Sequence, residues 1–174
     1  YGDSPLDREN VSESVFLNMI NTAQDYIYMT TPYLVIDNEM MTAFILAAKR
    51  GVDVRVFTPG IPDKKIIYWM AEQNFSDIIA AGGKIFKLNG GFNHAKTLVV
   101  DGTYGIIGTY NIDYRSMFLH YECGNYMYKT KTLKEINEDF AHTISESGLA
   151  LEIKKTNPFK KLLGIILSIL SPLV

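Results

Sequence analysis

The sequence of 174 residues contains one cysteine, Cys123, one tryptophan and three histidines. A single cysteine excludes an internal disulfide, and no Cys/His cluster has the spacing of a structural zinc site. An excess of one charge is also missing, because 17 Lys and Arg face 19 Asp and Glu for a net charge of −2. No uniform basic field therefore draws the chain to nucleic acid, and any anion site must be local. The chain starts at Tyr1, without Met or a charged leader and apolar signal run, and so reads as a fragment of something longer. What is present is a globular composition, 47% hydrophobic, 12% aromatic and 21% charged, in a length suited to one domain with a real core.

Periodicity places a first helix over 10–24, with Val11, Val15, Phe16, Met19, Ile20 and Ala23 on one face and Asn10 as N-cap. Residues 26–31 read as a strand stopped by Pro32. Asp37 caps a helix running to Arg50, and Gly51 ends it. A strand over 53–58, a helix from about 63 to 81 closed by Gly82 and Gly83, and a strand over 84–88 follow; Asp63 is the candidate cap of that helix. A turn at 89–92 leads to a hairpin, with one strand from His94, a turn at Asp101-Gly102 and a return through Ile107. A strand over 121–128 and a helix over 133–147 complete the pattern. Strands alternating with helices, then a hairpin, predict an α/β fold, an α-β-α sandwich around a mixed sheet. Cys123 reads as a buried small hydrophobe, and Tyr114 and Tyr121 read as core or as the wall of an apolar cleft.

The division expected is one domain over 1–156 and a short C-terminal segment over 157–174. The apolar stretch Phe-Lys-Lys-Leu-Leu-Gly-Ile-Ile-Leu-Ser-Ile-Leu, residues 159–170, is too short as a helix, roughly 18 Å, for a hydrocarbon core of about 30 Å. Two readings stay open for it: an amphipathic helix lying in the interface of an anionic membrane, or a helix that docks on protein.

The chemistry concentrates in His94-Ala-Lys96-Thr-Leu-Val-Val-Asp101 and Gly108-Thr109-Tyr-Asn111-Ile-Asp113. On a strand, His94 and Lys96 share a face roughly 6 to 7 Å apart and can grip one ligand. The imidazole can act as nucleophile or acid and base, and the ammonium supplies fixed positive charge, a pair suited to a phosphoryl oxyanion. Asp101 has the opposite parity, so its expected work is structural, not a relay to the histidine. Thr109 and Asn111 offer donors for remaining phosphate oxygens, and Glu122 can accept from an imidazole and fix its tautomer.

The spacing H-x-K-x4-D followed by G-[GST]-x-N resembles the signature of the phospholipase D superfamily. Thr31-Pro-Tyr-Leu34, Ala48-Lys-Arg-Gly-Val-Asp-Val-Arg55, Gly108 to Ser116 and Leu119-His-Tyr-Glu122 narrow the resemblance to the C-terminal half of bacterial cardiolipin synthases, across essentially the whole chain. The Asn111-x-Asp113-x-Arg115-Ser116 run sets this group apart from nuclease members. The resemblance implies a transferase of phospholipid biosynthesis that needs no cofactor or metal. It converts two phosphatidylglycerol molecules to cardiolipin and glycerol through a phosphohistidine. His94, Lys96 and Asp101 form its catalytic motif, with Thr109, Asn111 and Glu122 in support, and His94 serves as acid and base if the nucleophile lies in the other half.

Such an enzyme works with two histidine motifs, and this chain has one, since His120 and His142 lack the following Lys and Asp. The expected partners are therefore the N-terminal half of the same enzyme or a second copy in a homodimer, a phospholipid substrate and a membrane surface, and not nucleic acid. The expected location is the bacterial cell membrane for the full-length enzyme, with this part soluble or peripheral on the cytoplasmic side. The alternatives are a phosphodiesterase or nuclease of the same superfamily, or an incomplete half that only binds phosphate or membrane.

Overall fold

Alternating apolar residues build an eight-stranded sheet whose two faces take helices of different character. The computed structural model describes residues 1–6, 9–89, 93–146 and 148–149. The elements, in chain order, are β1 (Gly2–Asp3), α1 (Val11–Thr22), β2 (Tyr26–Thr30), β3 (Leu34–Val35), α2 (Asn38–Lys49), β4 (Asp53–Pro59), α3 (Lys65–Ala80) and β5 (Lys84–Leu88). They continue with β6 (Thr97–Val100), β7 (Tyr104–Gly108), β8 (Ile112–Asp113), α4 (Tyr114–Phe118), β9 (Glu122–Tyr128), α5 (Thr132–Glu146) and β10 (Gly148–Leu149). The order across the main sheet is β1-β9-β7-β6-β2-β4-β5-β10, with β3 and β8 forming a separate pair. β2, β4 and β5 are mutually parallel, whereas β6, β7, β9 and β1 continue antiparallel, and β10 pairs antiparallel with β5.

The two faces follow strand parity. Ile27, Met29, Val54, Val56, Leu98 and Val100 join Phe16, Ile20, Phe44 and Ile78 in the larger core under α1, α2 and α3. Phe57, Phe86, Val99 and Met127 face Leu133 and Phe140 of α5 in the smaller one. This is the expected α-β-α sandwich around a mixed sheet. The segment 157–174, expected as an interfacial or docking helix, lies outside the described residues, as does part of the 89–92 turn. No helix among the described residues is long and apolar enough to cross a membrane.

Most element boundaries lie close to the expected ones, and the exceptions have local causes. Asp37 caps α2 by accepting from the Met40 N–H at 2.8 Å, and Gly51 and Gly82 adopt the left-handed backbone (φ 95° and 105°) that stops a helix. Asn10 precedes α1 without a side-chain cap bond; the orphan N–H groups of Val11 and Ser12 donate instead to the Asp3 carboxylate at 3.0 and 2.8 Å. Asp63 does not cap α3, whose N-cap position is Lys64. Cys123 is exposed, not buried, because only the two residues of β1 lie outside β9 at that sheet edge. Tyr121 is 70% exposed, so it is no core residue.

The turn between β6 and β7 is set by Asp101 and Gly102, both with left-handed backbone (φ 52° and 58°). From there the Asp101 carboxylate accepts three backbone N–H groups, of Gln24 at 2.8 Å, Asp25 at 2.9 Å and Tyr26 at 2.8 Å. Its own N–H donates to the Tyr26 carbonyl at 3.1 Å. The hairpin is thereby pinned to the start of β2, and the work of Asp101 at this position is structural. Replacing Asp101 with Ala removes the acceptor for all three donors and puts a Cβ residue without polar rescue at positive φ. Asp101→Ala is expected to cost about 2–3 kcal/mol, and Asp101→Asn less, in chemical denaturation.

One carboxylate pair on the α1 side makes stability depend on pH. Half-buried Glu13 hydrogen-bonds Asp37, and burial first, then the Asp37 bond and charge, push its pKa up from 4.5 to about 7, with Glu39 adding in the same direction and Asn10 opposing. The folded state therefore holds an extra proton between these values, so this contribution is fully present below the ordinary pKa and is lost as pH rises through about 7. The wild-type denaturation midpoint is expected to fall between pH 5 and pH 8 by more than that of Glu13→Gln, and parallel midpoints in the two proteins would contradict the assignment.

Candidate active site

The sheet registers bring the carboxyl ends of β2, β4 and β5, the start of β6, the end of β7 and the start of β9 to one end of the sheet. Segments 31–37, 60–64, 89–96 and 109–121 leave or enter there, the position at which open α/β sheets present ligand loops. All the expected site residues except Asp101 lie at this end. Asp101 sits at the opposite end, at the β6–β7 turn.

His94 and Lys96 precede β6, which begins at Thr97, so they stand on the segment leading into the sheet and not on the strand itself. The reason is visible at Asn93, whose side-chain oxygen accepts from the Ala95 N–H at 2.8 Å and turns the chain locally. His94 is exposed, and its carbonyl accepts from Lys96 Nζ at 2.6 Å. Lys96 is half-buried. Burial pushes its pKa below the ordinary value, while the carboxylates of Glu122 and Asp113 pull it back up.

Segment 109–113 is shaped by backbone constraints. A side chain at Gly108 is excluded, because its Cβ would meet the Cys123 carbonyl oxygen at 2.6 Å. Thr109 is tied to that neighbour. Its hydroxyl accepts from the Cys123 N–H at 3.0 Å and donates to the Cys123 carbonyl at 3.4 Å, so the hydroxyl proton expected to reach a ligand is engaged with β9. Asn111 hydrogen-bonds Asp113 through its side chain, and its amide oxygen Oδ1 is buried without a partner.

Asp113 is 8% exposed and accepts from the Ser116 N–H at 2.7 Å, capping α4. Burial pushes its pKa up and Glu122 adds to this, against the bonds from Ser116 and Asn111. Beneath the segment lies Thr31, fully buried, whose hydroxyl donates to the Tyr33 carbonyl at 2.6 Å and accepts from the Ile112 N–H at 3.2 Å. That bond seats β8 beside β3, where Leu34 pairs with Ile112 and Val35 with Asp113. Tyr33 in turn donates to Asp63 at 2.6 Å, which ties down the loop after β4.

Glu122 is 9% exposed in its side chain and faces the imidazole of His120, with Nδ1 3.6 Å from Oε1. His120 also receives a hydrogen bond at Nε2 from Arg115 Nε at 2.7 Å. Neither Arg115 nor His120 was singled out as a site residue in the sequence, since neither belongs to the H-x-K-x4-D spacing. The available signal was the parity of His120 and Glu122, two residues apart at the head of a strand. A separate groove of about 990 Å³ runs between α1 and the β7/β9 face, lined by Val11, Val15, Met19, Tyr104, Tyr126 and others. None of its described lining residues has a charged side chain, unlike the sheet end, where Lys96, Asp113 and Glu122 gather.

Known structures share this fold. Nuc from Salmonella typhimurium, a phospholipase D family member, superposes with a TM-score of 0.70 at 19% identity, over 80% of this chain and 91% of that one. The phosphatidylserine synthase of Haemophilus influenzae superposes with a TM-score of 0.73 at 15% identity, over 94% of this chain and 45% of that one. The fold is that of the phospholipase D superfamily. Residues 16–144 match the family described as cardiolipin synthase, phospholipase D-like domain, and the chain belongs to that family.

Among its relatives, an uncharacterised protein of Streptococcus mutans is 43% identical over 100% of this chain and 38% of its own length. The cardiolipin synthase of Alkalihalophilus pseudofirmus is 33% identical over 98% of this chain and 34% of its own length. The chain thus spans about a third of the length of the curated relatives it matches.

Thr31→Val is expected to leave the buried Ile112 N–H without an acceptor and to cost about 1–3 kcal/mol. Because Ile112 lies between Asn111 and Asp113, the backbone amide resonances of these three residues should shift, and an unshifted spectrum would show that the Thr31 bond does not set their position.

Proposed function

We propose that the chain is the second, C-terminal phosphate-handling half of a cardiolipin-forming phosphatidyltransferase. The observation that carries this reading is exposed His94, whose backbone carbonyl accepts from the half-buried Lys96 ammonium, at the sheet end where Asn111 and Glu122 also lie. Family membership and the phosphorus chemistry suited to a His/Lys pair support it.

In the proposed reaction a histidine nitrogen of the other motif attacks the phosphorus of one phosphatidylglycerol. The bond from phosphorus to the glycerol oxygen breaks, and His94 gives its proton to the departing glycerol. His94 then takes the proton from the hydroxyl of a second phosphatidylglycerol as that oxygen attacks the phosphohistidine, releasing cardiolipin and restoring the first histidine. Lys96 balances the charge on the phosphoryl oxygens in both steps, and the Asn111 amide N–H that Asp113 does not use donates to one of them. Thr109 contributes by anchoring Asn111's segment to β9, and Glu122 by orienting an imidazole. The second motif comes from the N-terminal half of the same enzyme or from a second copy of this chain, and the substrate is presented at a membrane surface.

The test is full-length enzyme incubated with vesicles of labelled phosphatidylglycerol. Wild type should form cardiolipin and free glycerol. His94→Ala should lower turnover by about 100-fold or more, in line with the loss of a general acid and base, while its denaturation midpoint stays near wild type. Cleavage of DNA without lipid transfer, or undiminished turnover in His94→Ala, would overturn the proposal.

A further inference from the structure

Arg115, His120 and Glu122 form a chain of contacts in which the proposed reaction uses neither Arg115 nor His120. Arg115 belongs to α4, which Asp113 caps, and α4 ends where the Leu119 N–H donates back to the Arg115 carbonyl at 2.9 Å. That closure folds Arg115 over the segment entering β9, where its Nε donates to His120 Nε2 at 2.7 Å. A guanidinium has donors only and keeps its proton at any ordinary pH. Nε2 must therefore offer a lone pair, and the ring proton of the neutral imidazole belongs on Nδ1. Nδ1 is the nitrogen that faces Glu122 Oε1 at 3.6 Å. A second proton on Nε2 would set N–H against N–H, so the Arg115 bond fits a ring whose proton sits on Nδ1, the nitrogen turned toward the Glu122 carboxylate.

The other charged groups acting on Glu122 are Lys96 and Asp113, felt through space. Lys96 attracts the Glu122 carboxylate. If the carboxylate turned to Lys96, it would cancel the positive charge on which phosphate binding depends. We infer that His120 is a positioning residue: as a neutral Nδ1–H imidazole braced by Arg115, it holds the Glu122 carboxylate in place and leaves Lys96 available to a phosphoryl oxyanion. This role rests on the phosphatidyltransferase reading for its meaning, but the tautomer it demands does not.

Two measurements test it. Long-range ¹H–¹⁵N correlation of the histidine rings in the protein at pH 7.5 reads the tautomer directly, whatever the activity. His120 should carry its proton on Nδ1, and Arg115→Ala should abolish that preference; a wild-type His120 protonated on Nε2, or on both nitrogens, overturns the inference. In full-length enzyme turning over labelled phosphatidylglycerol, His120→Phe should lower turnover by roughly tenfold, as expected for a misoriented group beside the reacting atoms. His120→Asn, whose amide nitrogen branches from Cγ as Nδ1 does, should restore most of it. Equal losses in Phe and Asn, or no loss in Phe, would also overturn it. A wild-type enzyme that forms no cardiolipin would instead overturn the reading of function and leave the tautomer result standing.

Discussion

The triple acceptance of backbone N–H groups by Asp101 is the constraint on which the arrangement of this molecule turns. Residues 24–26 lead into β2, the strand at the middle of the sheet where parallel and antiparallel halves meet. A carboxylate that caps this entry from the β6–β7 turn fixes the register of β6 against β2 at one end. Register in turn decides where the other end of β6 falls, because a slip by one residue would turn every side chain to the opposite face. Lys96 and His94 stand at that other end. The aspartate of the H-x-K-x4-D spacing therefore serves the histidine and lysine through the length of a strand, without touching them.

The site end is held by a second set of backbone bonds that cross between distant parts of the chain. Thr31 accepts from Ile112, β3 pairs with β8, and Tyr33 reaches Asp63. These contacts explain why the Thr-Pro-Tyr-Leu run accompanies the catalytic spacing: its threonine is the hydrogen-bond partner of the segment that presents Asn111. Buried polar groups of this kind are satisfied almost without exception in folded proteins. Asn111 Oδ1 is among the few buried polar atoms of the described residues without a hydrogen-bond partner.

Much of the fold was legible in the sequence, because periodicity and punctuation spoke together. Gly51, Gly82 and the Asp101-Gly102 turn are backbone signals with physical content, and Asp37 caps its helix as its position suggests. Parity separated Asp101 from His94 and Lys96 in the sequence, whereas in the fold the separation comes from its place in the β6–β7 turn, at the other end of β6. What could not be read were features that depend on chain segments meeting in space. The pairing of β1 with β9, the β3–β8 ladder and the cap of α1 by Asp3 each join residues far apart or too few to show a pattern. The same limit applied to the site. His94 and Lys96 were visible through spacing, but the start of β6 only at Thr97, the engagement of Thr109 with Cys123 and the Arg115–His120–Glu122 chain are facts of three-dimensional neighbourhood.

The position of β1 has a consequence for the order in which the molecule can be made. Asp3 supplies the acceptors for the first turn of α1, yet its own strand pairs with Cys123 and Glu122, on the far side of the sequence. As the chain emerges from synthesis, α1 is complete more than 100 residues before the strand that stabilises its cap exists. Contacts of such separation cost loop entropy before they return any stabilisation, which slows their formation. The β1–β9 pair thus ties the cap of α1 to the strand that carries Glu122, joining the first helix to the site end through two residues of backbone.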